Sequence, residues 1–329
     1  MIEGKLSPEL LAKLVLSKTG ANRGEVVLPA GLGEDAAALS LQGDACVLAT
    51  DPITAAESQM GELAVQISCN DLAACGAEPV GLLLTVLLAP EDSQEKLARI
   101  MSEVHQAAAQ LNVAIVGGHT EVTSAVRRTV LSVTAVGKCP EGKIVRSDGA
   151  KPDQEVLLTK ALAMEGTSIL ATQLAPQLAG ALSSRQLAAA REYRSQISIV
   201  PEALAAAEFG ASAMHDVTEG GVLGALWELA AASRVGLEIW KEKIPLLEET
   251  KAICKQLALD PLGLIASGSL LIMADPKLKV GQKLADRGFQ VTAIGRTRPE
   301  AEGRWLVGAD GKFPLEPPRR DQLYEALEH

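Results

Sequence analysis

With 329 residues, 47% of them hydrophobic, the chain can build a large core and most naturally folds as two domains. A net charge of −10 argues against nucleic acid or an anionic membrane as partner, because both require basic patches. The longest uncharged apolar stretch, Pro79 to Pro90, is too short to span a bilayer, and Met1-Ile2-Glu3-Gly4-Lys5 lacks the pattern of a signal peptide. From the start of the chain, Ser7 to Leu16 carries the apolar stripe of an amphipathic helix with Ser7 as N-cap. Gly31 to Ala38 is a glycine-punctuated loop running into a short strand, and Cys46 to Thr50 is a second strand that Asp51-Pro52 ends. Gly61 to Cys75 reads as a helix closed by Gly76, with Asn70 and Asp71 set among apolar neighbours. Val80 to Leu88 is an almost continuous apolar run, which predicts a strand buried on both faces. A long amphipathic helix follows over Ser93 to Leu111, then strands over Val113 to Gly117 and Thr129 to Gly137. This order predicts an α+β first domain with helices on one face of its sheet.

Punctuation by Pro140, Gly142, Gly149 and Pro152 marks the domain boundary, giving residues 1–145 and 146–326. The second domain opens with a strand over Glu155 to Thr159 and continues through an alanine- and leucine-rich helical region broken at Pro176 and Pro201. Ala211 to Met214 is a short strand ended by a loop from His215 to Gly221, and Gly220-Gly221 opens a helix whose first N–H groups are free to face an anion. A strand over Ser269 to Met273, a helix near Leu278 to Arg287, and strands near Val291 to Gly295 and Trp305 to Val307 complete it. Residues 327–329 read as the stub of an expression tag. The five cysteines are scattered without a C-x-x-C pair, as expected of reduced thiols in a cytoplasmic protein, and no two Cys or His residues have zinc-ligand spacing.

The chemistry concentrates in a few acids at strand ends, glycine turns or within an apolar helix: Asp35, Asp51, Asp71, Glu121 and Asp216. Taken singly, each reads as a solvated carboxylate, since 41 acids are available. Together, hard oxygen ligands suit Mg²⁺, which keeps several waters and bridges nucleotide phosphates. No Walker sequence and no G-x-G-x-x-G fingerprint after a strand is present, so any nucleotide is held by another arrangement. His119 and His215, two of only four histidines, fall in the same motifs; each is either a general base or a hydrogen-bonded turn residue. Ser267-Gly268 lacks the setting of a hydrolase nucleophile.

These motifs, in this order, resemble the AIR synthase-related superfamily, which includes thiamine-monophosphate kinase and the hydrogenase maturation factor HypE. Gly33-Glu34-Asp35-Ala36-Ala37 and Thr50-Asp51-Pro52 are similar to its two acidic loops, and Asn70 to Pro79 to its N-D-[IL]-A-x-x-G-A-x-P segment. Gly117-Gly118-His119-Thr120-Glu121 resembles its glycine-glycine loop, Arg146 to Pro152 its interdomain hinge, and His215 to Gly221 its second-domain loop. The resemblance implies a two-domain α+β fold, with an N-terminal mixed sheet that dimerises and a C-terminal α/β sandwich. It also implies ATP and Mg²⁺, with an oxygen of a small-molecule or protein-bound acceptor activated by phosphoryl transfer. Asp35, Asp51, Asp71 and Glu121 would be metal ligands. Asn70, Asp71, Gly117, Gly118, Thr120, Glu121, Gly220 and Gly221 would bind the nucleotide, with His119 and Asp216 catalytic. Thr50-Asp51-Pro52-Ile53-Thr54 and the Gly-Gly-His-Thr-Glu segment look most like the hydrogenase maturation branch, which works on a carboxamide carried by a C-terminal cysteine. Here the last cysteine is Cys254, and Lys151-Pro152-Asp153-Gln154 lacks the glycine-aspartate usual in the superfamily. The expectation is therefore an ATP-dependent relative with another acceptor. The alternatives are a thiamine-monophosphate-type kinase, a non-catalytic nucleotide-binding scaffold and a metal-dependent hydrolase unrelated to ATP.

Overall fold

The structure is a computed structural model that describes residues 26–28, 31–41, 43–53 and 59–328; the helix expected over Ser7 to Leu16 lies outside these residues. Among them, one compact unit gathers residues 26–28 and 35–144, and the other gathers 31–34 and 145–328.

The first unit is a six-stranded sheet with two helices. Its strands are β1 (Val26–Leu28), β2 (Ala37–Leu41), β3 (Asp44–Ile53), β4 (Glu78–Leu88), β5 (Ala114–Val122) and β6 (Val130–Pro140). The spatial order is β1-β2-β3-β6-β4-β5, antiparallel except for the β4–β5 pair. Helix α1 (Met60–Ala74) crosses from β3 to β4 and helix α2 (Gln94–Gln110) from β4 to β5. α1 ends as its sequence predicts: Gly76 adopts φ 74° and its N–H reaches the Ala73 carbonyl at 2.8 Å. α2 begins at Ser93, whose hydroxyl accepts the Lys96 N–H at 3.2 Å.

Both helices cover the same face, and that decides the fate of β4. Leu82, Leu84, Val86 and Leu88 are buried against the helical layer, whereas Val80 and Leu83 are 36% and 42% exposed. The expectation that β4 is buried on both faces is thus not met among the described residues, because none of them in this unit covers the second face.

β5 also differs from expectation. The strand does not stop at Gly117; it continues through Val122 in parallel register with β4, pairing Leu84 with Gly118 and Leu87 with Glu121. Gly118 makes this possible at φ 146°, since a Cβ there would lie 2.0 Å from the Leu84 carbonyl oxygen. A pair of glycines that reads as a chain break is instead a site of close strand approach.

The second unit holds β7 (Glu155–Thr159), α3 (Met164–Gln173), α4 (Ala175–Leu178), α5 (Ser184–Glu192), α6 (Val200–Phe209), β8 (Ala213–Val217), α7 (Gly221–Ser233), β9 (Val235–Trp240), α8 (Glu248–Gln256), β10 (Ser269–Ala274), α9 (Val280–Asp286), β11 (Val291–Pro299), β12 (Arg304–Gly308), β13 (Gly311–Pro314) and α10 (Gln322–Leu327). Its mixed sheet runs β13-β12-β9-β11-β7-β10-β8, with β12–β9 the parallel pair. β8 and β10 are buried at every residue. Leu158, Leu270, Leu271 and Ile272 have no exposure, and each such side chain contributes about 1.5–3 kcal/mol over its exposed state. Leu327, expected to belong to a tag, closes α10.

Candidate functional site

In the first unit the candidate residues divide between the two faces of the sheet. On β3, Asp51 is in phase with Ala45, Val47, Ala49 and Ile53, which are buried on the helix-covered side. Its Oδ2 is shielded from solvent and accepts no hydrogen bond from any described residue. A carboxylate oxygen left this way costs free energy unless a cation or donor meets it, so Asp51 fits a metal ligand. Asp35 lies two residues ahead of β2, and β2 pairs with β3 from Ala37↔Leu48, so both acids project beyond the same end of that pair. Asn70, with no exposure, and half-buried Asp71 sit in the last turns of α1, the helix packed on β3, and both have partners within the chain.

His119 and Glu121 are placed differently. They alternate with Gly118 and Thr120 on β5 and are in register with Thr85 and Leu87, which points them to the open face. His119 Nε2 lies 3.2 Å from Glu121 Oε2, with the two side chains 65% and 48% exposed. The register runs from Asp51 through Val133 and Leu84 to Gly118, three strand-to-strand steps or about 14 Å. One chain therefore does not bring Glu121 and Asp51 onto one ion, because period-two alternation and two intervening strands separate them. The expected four-carboxylate ring presumed that residues 119–121 form a loop free to fold back; they form a strand.

In the second unit His215 and Asp216 lie within β8 rather than after it, opposite Leu271 and Leu270 of β10. Both are buried. His215 Nε2 is 3.0 Å from Glu228 Oε2, and its Nδ1 is 3.7 Å from Asp216 Oδ1. Glu228 was missed in the sequence, although it is the lone charged residue of α7 and stands out in Leu226-Trp227-Glu228-Leu229. Glu228 thus orients the imidazole through Nε2, with the Asp216 carboxylate near its other nitrogen.

The glycine turn ahead of α7 is occupied. Asp321, from the loop before α10, accepts the Gly220 N–H at 2.6 Å, the Ile265 N–H at 3.1 Å and the Leu323 N–H at 2.8 Å. The Gly220 N–H expected to be free for an anion is satisfied by the chain itself. Gly221 has φ 59°, and a Cβ there would lie 2.4 Å from the Leu262 carbonyl oxygen, so no other residue fits. Burial pushes the Asp321 carboxyl up against the pull of its three N–H donors. Nearby in charge, Glu165 in the first turn of α3 is fully buried. Desolvation drives its pKa up, opposed by Ser267 and Arg194.

The segment expected as a hinge is anchored to the second unit. Arg146 grips Asp148 through Nε at 2.8 Å and Nη2 at 2.9 Å, and Ser233 Oγ donates to the Ser147 carbonyl at 2.6 Å while accepting the Ala150 N–H.

Two mixed-sheet units, the first with carboxylates presented from β3 and α1 and the second with a histidine clamped on β8, define a two-domain α+β protein of the AIR synthase type. Residues 33–139 match the AIR synthase related protein N-terminal domain, and residues 151–307 match its C-terminal domain. The chain belongs to the AIR synthase related protein family. It is 29% identical over 291 residues to the carbamoyl dehydratase HypE of Cupriavidus necator, covering 85% of this chain and 81% of the relative. It is 31% identical over 274 residues to a thiamine-monophosphate kinase of Methanospirillum hungatei, covering 80% and 85%. The fold matches that of the hydrogenase maturation protein HypE solved in complex with ATP, with TM-score 0.74 and 23% identity over 98% of this chain and 97% of that one.

Proposed function

We propose that this protein is an ATP-dependent enzyme that activates an oxygen of an amide or other small acceptor by phosphoryl transfer, with Mg·ATP met by the first unit. The observation that carries this reading is Asp51, whose Oδ2 is desolvated without a hydrogen-bond donor among the described residues. Asp35 and Asp71 would complete the oxygen set, supported by Asn70. Bound Mg²⁺ would neutralise phosphate charge there. Both kinds of relative support ATP chemistry, since one is a kinase and the matching HypE structure holds ATP.

Glu121, His119 and Thr120 belong to the exposed strand at the sheet edge, and Gly117-Gly118 lets β5 pair tightly there. A second copy of the chain covering the open face would bury Val80, Leu83 and Val116, each at least 36% exposed in one chain. We therefore infer a homodimer in which Glu121 and His119 act against groups of the partner. His119, oriented by Glu121, would accept the proton of the acceptor, and Asp216, beside His215, would be the catalytic carboxylate of the second domain. The Gly220-Gly221 turn, whose first N–H is filled by Asp321, would position the start of α7 rather than hold phosphate. The acceptor is not a thiol of this chain, for the cysteines are poorly suited to carry one. A small-molecule kinase of the thiamine-monophosphate type is the second reading, favoured by the 31% identity to such an enzyme.

Calorimetry with Mg·ATP tests the reading. Asp51→Asn keeps the side-chain volume and should weaken binding at least tenfold, or about 1.4 kcal/mol, with the fold intact. Asp71→Asn should act in the same direction. Unchanged affinity in both variants would overturn the assignment. A panel of candidate acceptors, read by ADP and phosphate release, separates dehydratase from kinase.

A further inference from the structure

A pocket of about 360 Å³ lies in the first unit where the β4–α2 turn, the start of α1 and the β5–β6 connection meet. Its walls carry Lys96, Arg99, Arg127 and Arg128 against only Asp92 and Glu103, a cationic surplus in a chain whose net charge is −10. None of the carboxylates proposed for Mg·ATP lines it.

Both acids of the pocket are already committed. Asp92 takes Lys96 Nζ at 2.5 Å, the Ala89 N–H at 3.0 Å and the Thr129 hydroxyl. The Lys96 hydrogen bond, followed by that of Thr129, holds its carboxyl below the ordinary carboxylate range. Glu103 accepts the Gly61 N–H at the start of α1, at 3.0 Å, and lies 4.0 Å from Arg99. Among the described residues, no ion pair engages Arg127. The connection that presents the two arginines is tied at both ends: the Thr123 N–H donates to the Leu88 carbonyl at 2.9 Å, and buried Thr129 bonds Asp92. Arg127 and Arg128, consecutive on a loop tied at both ends, line the pocket with Lys96 and a third arginine, Arg99, which supplies the charge a dianion needs, and the volume suits a small ligand.

We propose that this pocket binds the phosphomonoester group of a small molecule, separately from Mg·ATP and whether or not the chain turns ATP over. The test is calorimetric titration of the full chain with inorganic phosphate in the absence of Mg²⁺. One phosphate should bind per chain. Affinity should fall at least about tenfold in Arg127→Ala/Arg128→Ala, as expected for loss of charge-assisted hydrogen bonds. It should be unchanged in Asp51→Asn. Arg127→Gln alone, at an exposed position that the fold does not need, should show a smaller loss. Absence of saturable binding overturns the proposal. So does full affinity in the arginine variants, or a loss in Asp51→Asn equal to theirs, which would place the phosphate with the nucleotide carboxylates.

Discussion

The two units solve the same packing problem to different extents. In the second, β8 and β10 are buried along their whole length, and even the paired His215 and Asp216 are enclosed. In the first, the helices cover one face only, and the other presents Val80, Leu83 and the β5 edge. Strands covered on both faces, such as β8 and β10, can bury their polar groups in fixed pairs. A half-covered sheet keeps polar residues such as Glu121 exposed on its open face.

The comparison breaks most visibly with paired arginine substitutions. Leu271→Arg puts an unpaired charge into a fully buried strand and should cost roughly 4 kcal/mol or more, abolishing the second unit's melting transition. Leu83→Arg, on the open face, should leave circular dichroism intact and convert a dimer to a monomer by light scattering. A wild-type monomer at micromolar concentration would remove the dimer from the proposed function. Gly118→Ala comes next. Its methyl group cannot fit beside the Leu84 carbonyl, so β5 should detach at a cost of about 2–4 kcal/mol. Calorimetric scans should show the first unit melting early and the second unmoved.

A smaller effect separates the units by pH. Glu165 has a folded-state pKa above its unfolded value, so its contribution to stability is full below the ordinary carboxylate range and is lost as pH rises through the raised value. Glu165→Gln lacks that loss. Its melting temperature should equal the wild type's in acid and exceed it by about 2–4 °C at higher pH; parallel curves would show that Glu165 ionises freely. The smallest expected effect is none. Burial pushes the Cys69 and Cys254 thiols up to about 12 and raises Cys139, so the reactive thiolate is scarce. Intact mass after incubation with a carbamoyl-transferase partner, carbamoyl phosphate and ATP should show no adduct on the folded chain; a thiocarbamate or cyano mass on any of the five cysteines would contradict this.

Much of the fold was legible because its signals are local. The helix after Ser93, the Gly76 stop and the apolar runs of β4, β7 and β10 all fall where the residues point. The errors arose where a distant partner decides. Gly117-Gly118 reads as a turn until Leu84 is seen against it. Val235–Trp240 went unread because Gly236 and Glu238 interrupt the apolar pattern. Arg296 and Arg298 on β11 hold Glu238 below the usual carboxylate range and make a strand acceptable there. For the site, the sequence exposed the acids but not their faces, since a single residue of strand extension moves a side chain across the sheet. Glu228 and Asp321 act on groups 13 and 101 residues away, and no motif spacing records that.

That last separation also bears on when the second unit can form. Asp321 secures the turn at Gly220, and β7 gains its neighbour β10 only after a further hundred residues of chain, with Leu158 opposite Leu271. Contacts this distant delay productive collapse and favour folding late. On the ribosome the first unit can complete its sheet with β6, while in the second β7 stays unpaired until β10 has emerged and the Gly220 turn unsecured until residue 321 has. During that interval the apolar strand Val156-Leu157-Leu158 has an unpaired edge open to aggregation.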